Sequence, residues 1–188
     1  MNLLPAAERL AQPWKNSGGV TREIAVHPPG ADLAAFEWRI STATVAAPGP
    51  FSSFPGVDRI LLVLEGAGLA LRIDGGPAQL LAPGDPALAF EGDVPVEAEL
   101  AAGPVTDLNI MVRRGAWTAQ VQRMAITGPT SLPAAGEVQV AIALGSLSIA
   151  GAPLQFADAV RFDASLDVEP GGGPAELILI RLSAVAAG

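Results

Sequence analysis

The hydrophobic residues of this chain occur in short runs, and in several runs they alternate with polar residues. Residues 36–45, FEWRISTATV, show the alternation most clearly, with Trp38 and Ile40 on one side of a predicted strand and Arg39 and Ser41 on the other. Residues 60–64, ILLVL, form a continuous apolar run, which is typical of a strand buried on both faces. Turn-forming Gly and Pro recur between the runs, so the pattern predicts an all-β sandwich or barrel.

The predicted strands fall into a larger and a smaller set. The first set covers residues 20–26, 36–45, 59–65, 69–73, 79–81, 87–90, 94–100 and 107–112, with 117–124 as a further strand or a short helix. Residues 126–135 contain three Gly or Pro residues and are predicted to form a linker. The second set covers residues 138–149, 154–156, 159–162 and 177–182. We therefore expect a first β unit over residues 1–125 and a smaller unit over 126–188, packed on the first.

Composition excludes several classes of function. The chain has 188 residues, of which 50% are hydrophobic, so it can bury a sizeable core. It has no Cys and one His, which excludes thiol chemistry and histidine-rich metal sites. The formal net charge of −8 argues against nucleic acid as a partner. The N-terminal residues lack the features of a secretory signal and the apolar runs are too short to span a bilayer, so we expect a cytoplasmic protein without membrane contact.

Arg59 is the residue whose position most needs an explanation. It follows a loop rich in Gly and Pro, residues 49–58, and immediately precedes the apolar run at 60–64. A charged group at the start of a buried strand is costly unless something pairs with it. The partner is either a fixed carboxylate, Asp58 or Glu65, or an anion from solution. Asp58 is a poor partner because adjacent residues in a strand point to opposite faces.

The spacing around Arg59 resembles that of the cupin barrel. Arg59 and Gly66, with six residues between them, take the positions of a metal-binding carboxylate and a glycine in the first cupin motif. The two histidines of that motif would fall near Ser52 and Phe54, and residues 84–95 keep only the two glycines of the second motif. In this register no metal ligand remains, so we expect no metal and no cofactor. An arginine at the carboxylate position turns a cation site into a candidate anion site.

Five segments resemble the HutD/Ves family more closely: WKNSGGVTREI at 14–24, FEWRISTATV at 36–45, GPFSSFPGVDR at 49–59, FEGDVP at 90–95 and DLNIMVRR at 107–114. The resemblance implies a bicupin, with two β-barrels in one chain. The family has no established reaction. It is associated with histidine-utilisation gene clusters and is proposed to sense a small carboxylate of that pathway, with urocanate and N-formylglutamate as candidates. Arg59 matches the arginine that is expected to contact the anion.

Eight residues are therefore expected to bind a ligand, namely Trp14, Asn16, Thr21, Arg39, Phe51, Ser52, Arg59 and Asn109. Asn16 and Thr21 would donate hydrogen bonds to a carboxylate at a rim where Gly18 and Gly19 let the backbone approach. Trp14 either forms part of that rim or plugs a barrel end.

The remaining candidates have open alternatives. Ser52 would supply a hydroxyl, and Phe51 is either part of the core or a platform for the ligand. Asn109 is either a satisfied strand residue or a donor in the pocket. Arg39 is a second cation for a dicarboxylate if its face lines the barrel, and a surface residue if it does not. Arg113 and Arg114 are expected to cap a strand or to contact the second unit.

We expect a non-enzymatic protein that binds a small carboxylate and has a regulatory role in histidine utilisation. One alternative is a metal-independent isomerase or lyase in which Asp58 or Glu65 is the general base. Another is a structural bicupin whose barrels are filled with side chains. A homodimer formed through strand edges is expected by analogy with the fold alone.

Overall fold

The computed structural model describes residues 1–14 and 17–186. The chain divides into two compact units. We call Leu10–Ala116 the central unit, and Met1–Arg9 together with Trp117–Gly188 the terminal unit. The sequence placed the boundary after residue 125 instead. The difference arises because the strand Trp117–Ile126 pairs along its whole length with Ala175–Ala184, near the end of the chain.

The described residues form nineteen strands and one turn of 3-10 helix at Ala6–Glu8. The strands up to residue 113 are β1 (Asn2–Leu4), β2 (Ala11–Pro13), β3 (Gly19–His27), β4 (Trp38–Val45), β5 (Gly49–Pro50), β6 (Val57–Glu65), β7 (Leu69–Ile73), β8 (Gln79–Leu81), β9 (Leu88–Glu91), β10 (Val96–Leu100) and β11 (Val105–Arg113). The later strands are β12 (Trp117–Ile126), β13 (Thr130–Leu132), β14 (Val138–Ala143), β15 (Leu147–Ile149), β16 (Ala152–Leu154), β17 (Ala159–Phe162), β18 (Leu166–Pro170) and β19 (Ala175–Ala184).

The central unit contains two antiparallel sheets. One has six strands in the order β2-β3-β4-β11-β6-β9, and the other has four in the order β5-β10-β7-β8. The alternating residues of both sheets bury a shared apolar cluster. Its fully buried members are Val45, Leu61, Val63 and Val105 from the first sheet and Leu69, Leu71, Leu81, Val96 and Ala98 from the second. Trp38 is also fully buried.

The terminal unit repeats this two-sheet plan. Its sheets have the strand orders β1-β17-β14-β19-β12 and β13-β18-β15-β16, and every pair is antiparallel. The predicted linker at 126–135 is partly wrong, because β13 lies within it and pairs with β18. The predicted strand at 138–149 is two strands, β14 and β15. The all-β prediction is confirmed. No helix in the described part of the chain is long and apolar enough to cross a membrane.

Candidate ligand-binding site

A cavity of about 680 Å³ lies in the central unit. Its lining comes from β2, β3, β4, β6 and β11, from Trp14 directly after β2, from the loop between β3 and β4, and from residues 50–54. The lining residues are Gln12, Pro13, Trp14, Thr21, Leu33, Arg39, Ser41, Pro50, Phe51, Ser52, Phe54, Arg59, Asp107, Asn109 and Met111. Seven of the eight predicted ligand-binding residues are among them. The eighth, Asn16, lies outside the described residues.

Strand register explains why polar side chains meet on one face of the six-stranded sheet. Met111 of β11 lies between Arg39 of β4 and Arg59 of β6. Two residues earlier in β11, Asn109 lies opposite Ser41. Since alternate residues of a strand share a face, these side chains point to the same side as the apolar cluster. This face of the sheet therefore carries a polar patch next to the apolar cluster.

Arg59 is buried, with 5% of its surface exposed, and it makes few good hydrogen bonds. Its Nε donates to Oδ1 of Asn109 at 3.5 Å, and its Nη1 donates to the carbonyl of Ser52 at 3.4 Å. Both distances exceed the usual range for N–H···O bonds. Among the residues that the structure describes, no carboxylate lies within 4.0 Å of the guanidinium. A guanidinium has five N–H donors, so Arg59 keeps donors for a ligand.

Three phenylalanine rings surround the guanidinium of Arg59. The Arg59 Cζ lies 5.1 Å from the ring centroids of Phe51 and Phe90 and 5.6 Å from that of Phe54. Such ring faces attract a cation and keep water away from it. Phe51 also packs against the apolar cluster, so it belongs to both the core and the cavity wall. The burial lowers the pKa of Arg59 to about 10, which leaves it charged at neutral pH.

Neither carboxylate considered in the sequence pairs with Arg59. Asp58 points to the other face, where its Oδ1 accepts from Arg114 Nε at 2.7 Å. Glu65 is exposed at the far end of β6. Arg114 also contacts Asp93, so its ion pairs lie within its own unit.

Arg39 lines the cavity, so the alternative that placed it on the surface is wrong. It is 6% exposed, and its Nε donates to Oε2 of Glu23 at 2.8 Å. Glu23 comes from β3, the strand that pairs with β4. The ion pair neutralises Arg39, which makes it a weaker candidate for a second cation than its position alone suggests.

Asp107 is a cavity residue that sequence reasoning missed. It is 2% exposed, and its Oδ1 has no hydrogen-bond partner among the described residues. Burial raises the pKa of the Asp107 carboxyl to about 7, although the charge of Arg59 and a hydrogen bond from the Ala43 backbone act in the opposite direction. The available signal was alternation, because Asp107 shares a strand face with Asn109 and Met111.

Trp14 and Thr21 form one wall of the cavity. The indole Nε1 of Trp14 donates to the hydroxyl of Thr21 at 2.8 Å. The hydroxyl therefore acts as an acceptor here, and its own proton is available to another acceptor. Gly19 permits this arrangement, because a Cβ there would lie 2.6 Å from the Thr44 carbonyl oxygen and 3.0 Å from the Trp14 ring. Trp14 lines the cavity and also packs against the apolar cluster, so the structure is compatible with both of its alternatives.

Comparison with known proteins places the chain in a family. The HutD family profile matches residues 6–171. The chain belongs to the HutD family. It is 39% identical over 122 residues to an uncharacterized 21.2 kDa protein in the hutC 3' region of Pseudomonas putida, which covers 65% of this chain and 63% of that protein. It is 40% identical over 110 residues to protein Ves of Cronobacter sakazakii, which covers 58% of this chain and 59% of that protein.

Solved structures support the same assignment. A structure of HutD from Pseudomonas fluorescens SBW25, in a formate condition, matches with a TM-score of 0.85 and 28% identity, covering 98% of this chain and 99% of that one. A cupin 2 conserved barrel domain protein from Leptotrichia buccalis matches with a TM-score of 0.61 and 14% identity, covering 88% and 89%. The second likeness shows a fold shared with cupins. The predicted resemblance to HutD and Ves is confirmed.

Proposed function

We propose that this HutD-family protein binds a small carboxylate at Arg59 and acts as a regulatory binding protein in histidine utilisation. The observation that carries the proposal is the buried guanidinium of Arg59, which has no carboxylate within 4.0 Å in the described part of the chain. A buried charge without a partner is costly, and an incoming carboxylate removes that cost.

The geometry around Arg59 suits a carboxylate. The planar guanidinium can donate two parallel N–H bonds to the two carboxylate oxygens. The rings of Phe51, Phe54 and Phe90 lie within 5.6 Å of the Arg59 Cζ and make its surroundings apolar, which strengthens such a pair. The hydroxyl of Thr21 and the side chain of Asn109 line the same cavity and supply further polar contacts. A small organic acid of a few carbon atoms is the ligand we expect.

The family context narrows the ligand to the histidine pathway. Membership of the HutD family, and a relative from a hutC 3' region, link the chain to histidine utilisation. Urocanate and N-formylglutamate are the small carboxylates we propose to test first. On this proposal the protein is cytoplasmic, needs no metal or cofactor, and acts without nucleic acid or membrane.

A second candidate function, a metal-independent isomerase or lyase, is favoured by one observation. The carboxyl of Asp107 lines the cavity, and its pKa of about 7 is suited to a general base at neutral pH. Asp107 replaces Asp58 and Glu65 in that role, because neither of those residues is among the cavity's lining residues.

Titration calorimetry tests the binding proposal. Urocanate, N-formylglutamate and formate would be titrated into the wild-type protein, Arg59→Gln and the control Arg72→Gln. Arg72 is an exposed arginine of the same unit whose Nη1 donates to the Gly76 carbonyl. We expect Arg59→Gln to lose about 30-fold or more in affinity, since a buried charge-assisted pair is lost. Arg72→Gln should bind as the wild type does.

The outcomes separate the candidate functions. Equal affinity in Arg59→Gln and wild type, with both folded by circular dichroism, would rule out Arg59 as the anion contact. Absence of binding to every acid would favour a structural role. NMR spectra of each acid incubated with the protein would reveal turnover, and turnover lost in Asp107→Asn would favour the enzyme.

A further inference from the structure

Asp107 is an acidic side chain inside a cavity that we propose to bind an acid. It belongs to β11, where it lies opposite Ala43 of β4 and Val63 of β6. It is almost fully buried and its Oδ1 is unpartnered among the described residues. A second negative charge entering this cavity would repel an ionised Asp107 in a setting of low dielectric constant.

The charged groups around Asp107 can balance the charge of only one anion. Arg59 faces it from β6, and Arg39 lines the same cavity from β4 but is paired with Glu23 of β3. The other described lining residues carry no ionisable side chain. The four-stranded sheet contributes apolar residues to the cluster beside the cavity. With Arg39 and Glu23 cancelling each other, Arg59 supplies one positive charge, and Asp107 and a ligand carboxylate compete for it.

We propose that the cavity binds a carboxylate together with one proton, which Asp107 holds as a carboxylic acid that donates an O–H···O bond to the bound anion. The inference rests on the proposed carboxylate binding at Arg59 and specifies its chemistry. The proton comes from solvent, and no covalent bond changes. Apart from the Arg39–Glu23 pair, the described lining of the complex then carries one cation, Arg59, and faces one ligand anion. A dicarboxylate would break this balance if both its charges entered the cavity.

The raised pKa of Asp107 makes this exchange accessible at neutral pH. Burial raises the pKa of Asp107 to about 7 in the free protein, and an adjacent anion favours the protonated form further. Binding above that pH must therefore take up a proton. The apparent dissociation constant should be flat below the pKa of the free protein and rise about tenfold for each pH unit above it.

Proton uptake can be measured on the wild-type protein with acetate as the probe. Calorimetric titrations at about pH 8 in phosphate and in Tris, whose ionisation enthalpies differ, give the number of protons bound. We expect uptake of most of one proton per acetate, because a group whose pKa is about 7 is largely ionised at that pH. Dissociation constants between about pH 5.5 and 9 give the slope independently, in a range where acetate and Arg59 do not titrate.

Two variants assign the proton to Asp107. Asp107→Asn keeps a donor of similar size, so it should bind acetate with no proton uptake and little dependence on pH. Asp74→Asn is the control, because Asp74 lies in an exposed turn with a φ of 48° that Asn tolerates, and it should behave as the wild type. If Asp107→Asn does not fold, the wild-type titration still tests whether binding takes up a proton, and its absence would overturn the proposal.

The results distinguish this inference from the proposal on which it rests. Acetate binding with no net proton uptake and a pH-independent dissociation constant overturns the role of Asp107 and leaves carboxylate binding intact. Uptake that persists in Asp107→Asn overturns the assignment to this residue. If no carboxylate binds the wild-type protein, both proposals fail.

Discussion

Arg114 Nε donates to Oδ1 of Asp58 at 2.7 Å. Asp58 directly precedes Arg59 in the chain, and this ion pair holds the Asp58 carboxylate away from the Arg59 guanidinium. Arg114 also contacts Asp93 at 2.7 Å and Glu91 at 3.6 Å. Asp93 in turn accepts a hydrogen bond from the backbone of Gly56. The network therefore binds three carboxylates next to the strand that carries Arg59, and it leaves the Arg59 guanidinium to the cavity.

Arg114→Gln should destabilise the protein without abolishing carboxylate binding. Three carboxylates would lose their shared cation and repel one another, while the cavity lining would stay unchanged. We expect the melting temperature to fall by a few degrees. Added salt should reduce the difference, because it screens exposed charges.

Arg72→Gln is the control for this change, since the Arg72 side chain donates to the Gly76 carbonyl and has no carboxylate within 4.0 Å among the described residues. Its melting temperature should match that of the wild type. A melting temperature of Arg114→Gln that also equals the wild-type value would show that the network contributes nothing measurable.

The fold could be predicted from local pattern to a large extent. The continuous run at 60–64 became β6, and the alternation at 36–45 became β4 with Arg39 and Ser41 on the cavity side. The division into units could not be predicted from local pattern, because β1 pairs with β17 and β12 pairs with β19. Those pairings join segments far apart in the chain, and no local pattern encodes them.

The sequence predicted most of the residues that line the candidate site, but it did not predict which of their charges are paired. Alternation and family resemblance placed Arg59, Arg39 and Asn109, yet the partner of Arg39 depends on the register between β3 and β4. The burial of Asp107 depends on the two strands that flank β11, where Ala43 of β4 and Val63 of β6 lie opposite it. Burial and cross-strand partners are non-local properties, and they decide which charges stay unpaired.

Phe90→Leu should weaken carboxylate binding, although Phe90 is not among the lining residues of the cavity. Its ring centroid lies 5.1 Å from Arg59 Cζ, and loss of the ring removes a cation–π contact and admits water behind the guanidinium. We expect affinity for acetate to fall about 2- to 10-fold, as one such contact is worth 0.5–1 kcal/mol or somewhat more.

Phe162→Leu makes the same change in the terminal unit and serves as the control for calorimetry. It should lower stability without changing the dissociation constant of acetate. An unchanged dissociation constant in Phe90→Leu would mean that the Phe90 ring contributes to packing and not to carboxylate binding.

Glu23→Gln should change the selectivity of the cavity. Without Glu23, the Arg39 guanidinium is a second unpaired cation on the same sheet face as Arg59. We expect affinity for succinate to rise relative to acetate, measured by calorimetry, because a dianion then meets two positive charges. Stability should fall by about 1–3 kcal/mol in urea denaturation, since one partner of a partly buried pair is removed.

The matched control for that variant is Glu97→Gln, an exposed glutamate of β10. Its ratio of succinate to acetate affinity should equal that of the wild type. The same ratio in Glu23→Gln would contradict the view that the ion pair neutralises Arg39.

The unfolding free energy of ligand-free Asp107→Asn should increase relative to that of the ligand-free wild type as pH rises. The folded-state pKa of Asp107, about 7, is raised above the ordinary value of 3.8. The stabilising contribution of the protonated carboxyl is therefore fully present below the ordinary value, and it is lost as pH rises through about 7.

Asparagine does not titrate, so the difference in unfolding free energy between variant and wild type isolates this group. From about pH 5.5 to 8.5 that difference should shift toward the variant by on the order of 1–2 kcal/mol, measured by urea denaturation. A difference that stays constant across this range would show that Asp107 is ionised in the folded protein throughout, and the charge of Arg59 would then already be balanced without a ligand.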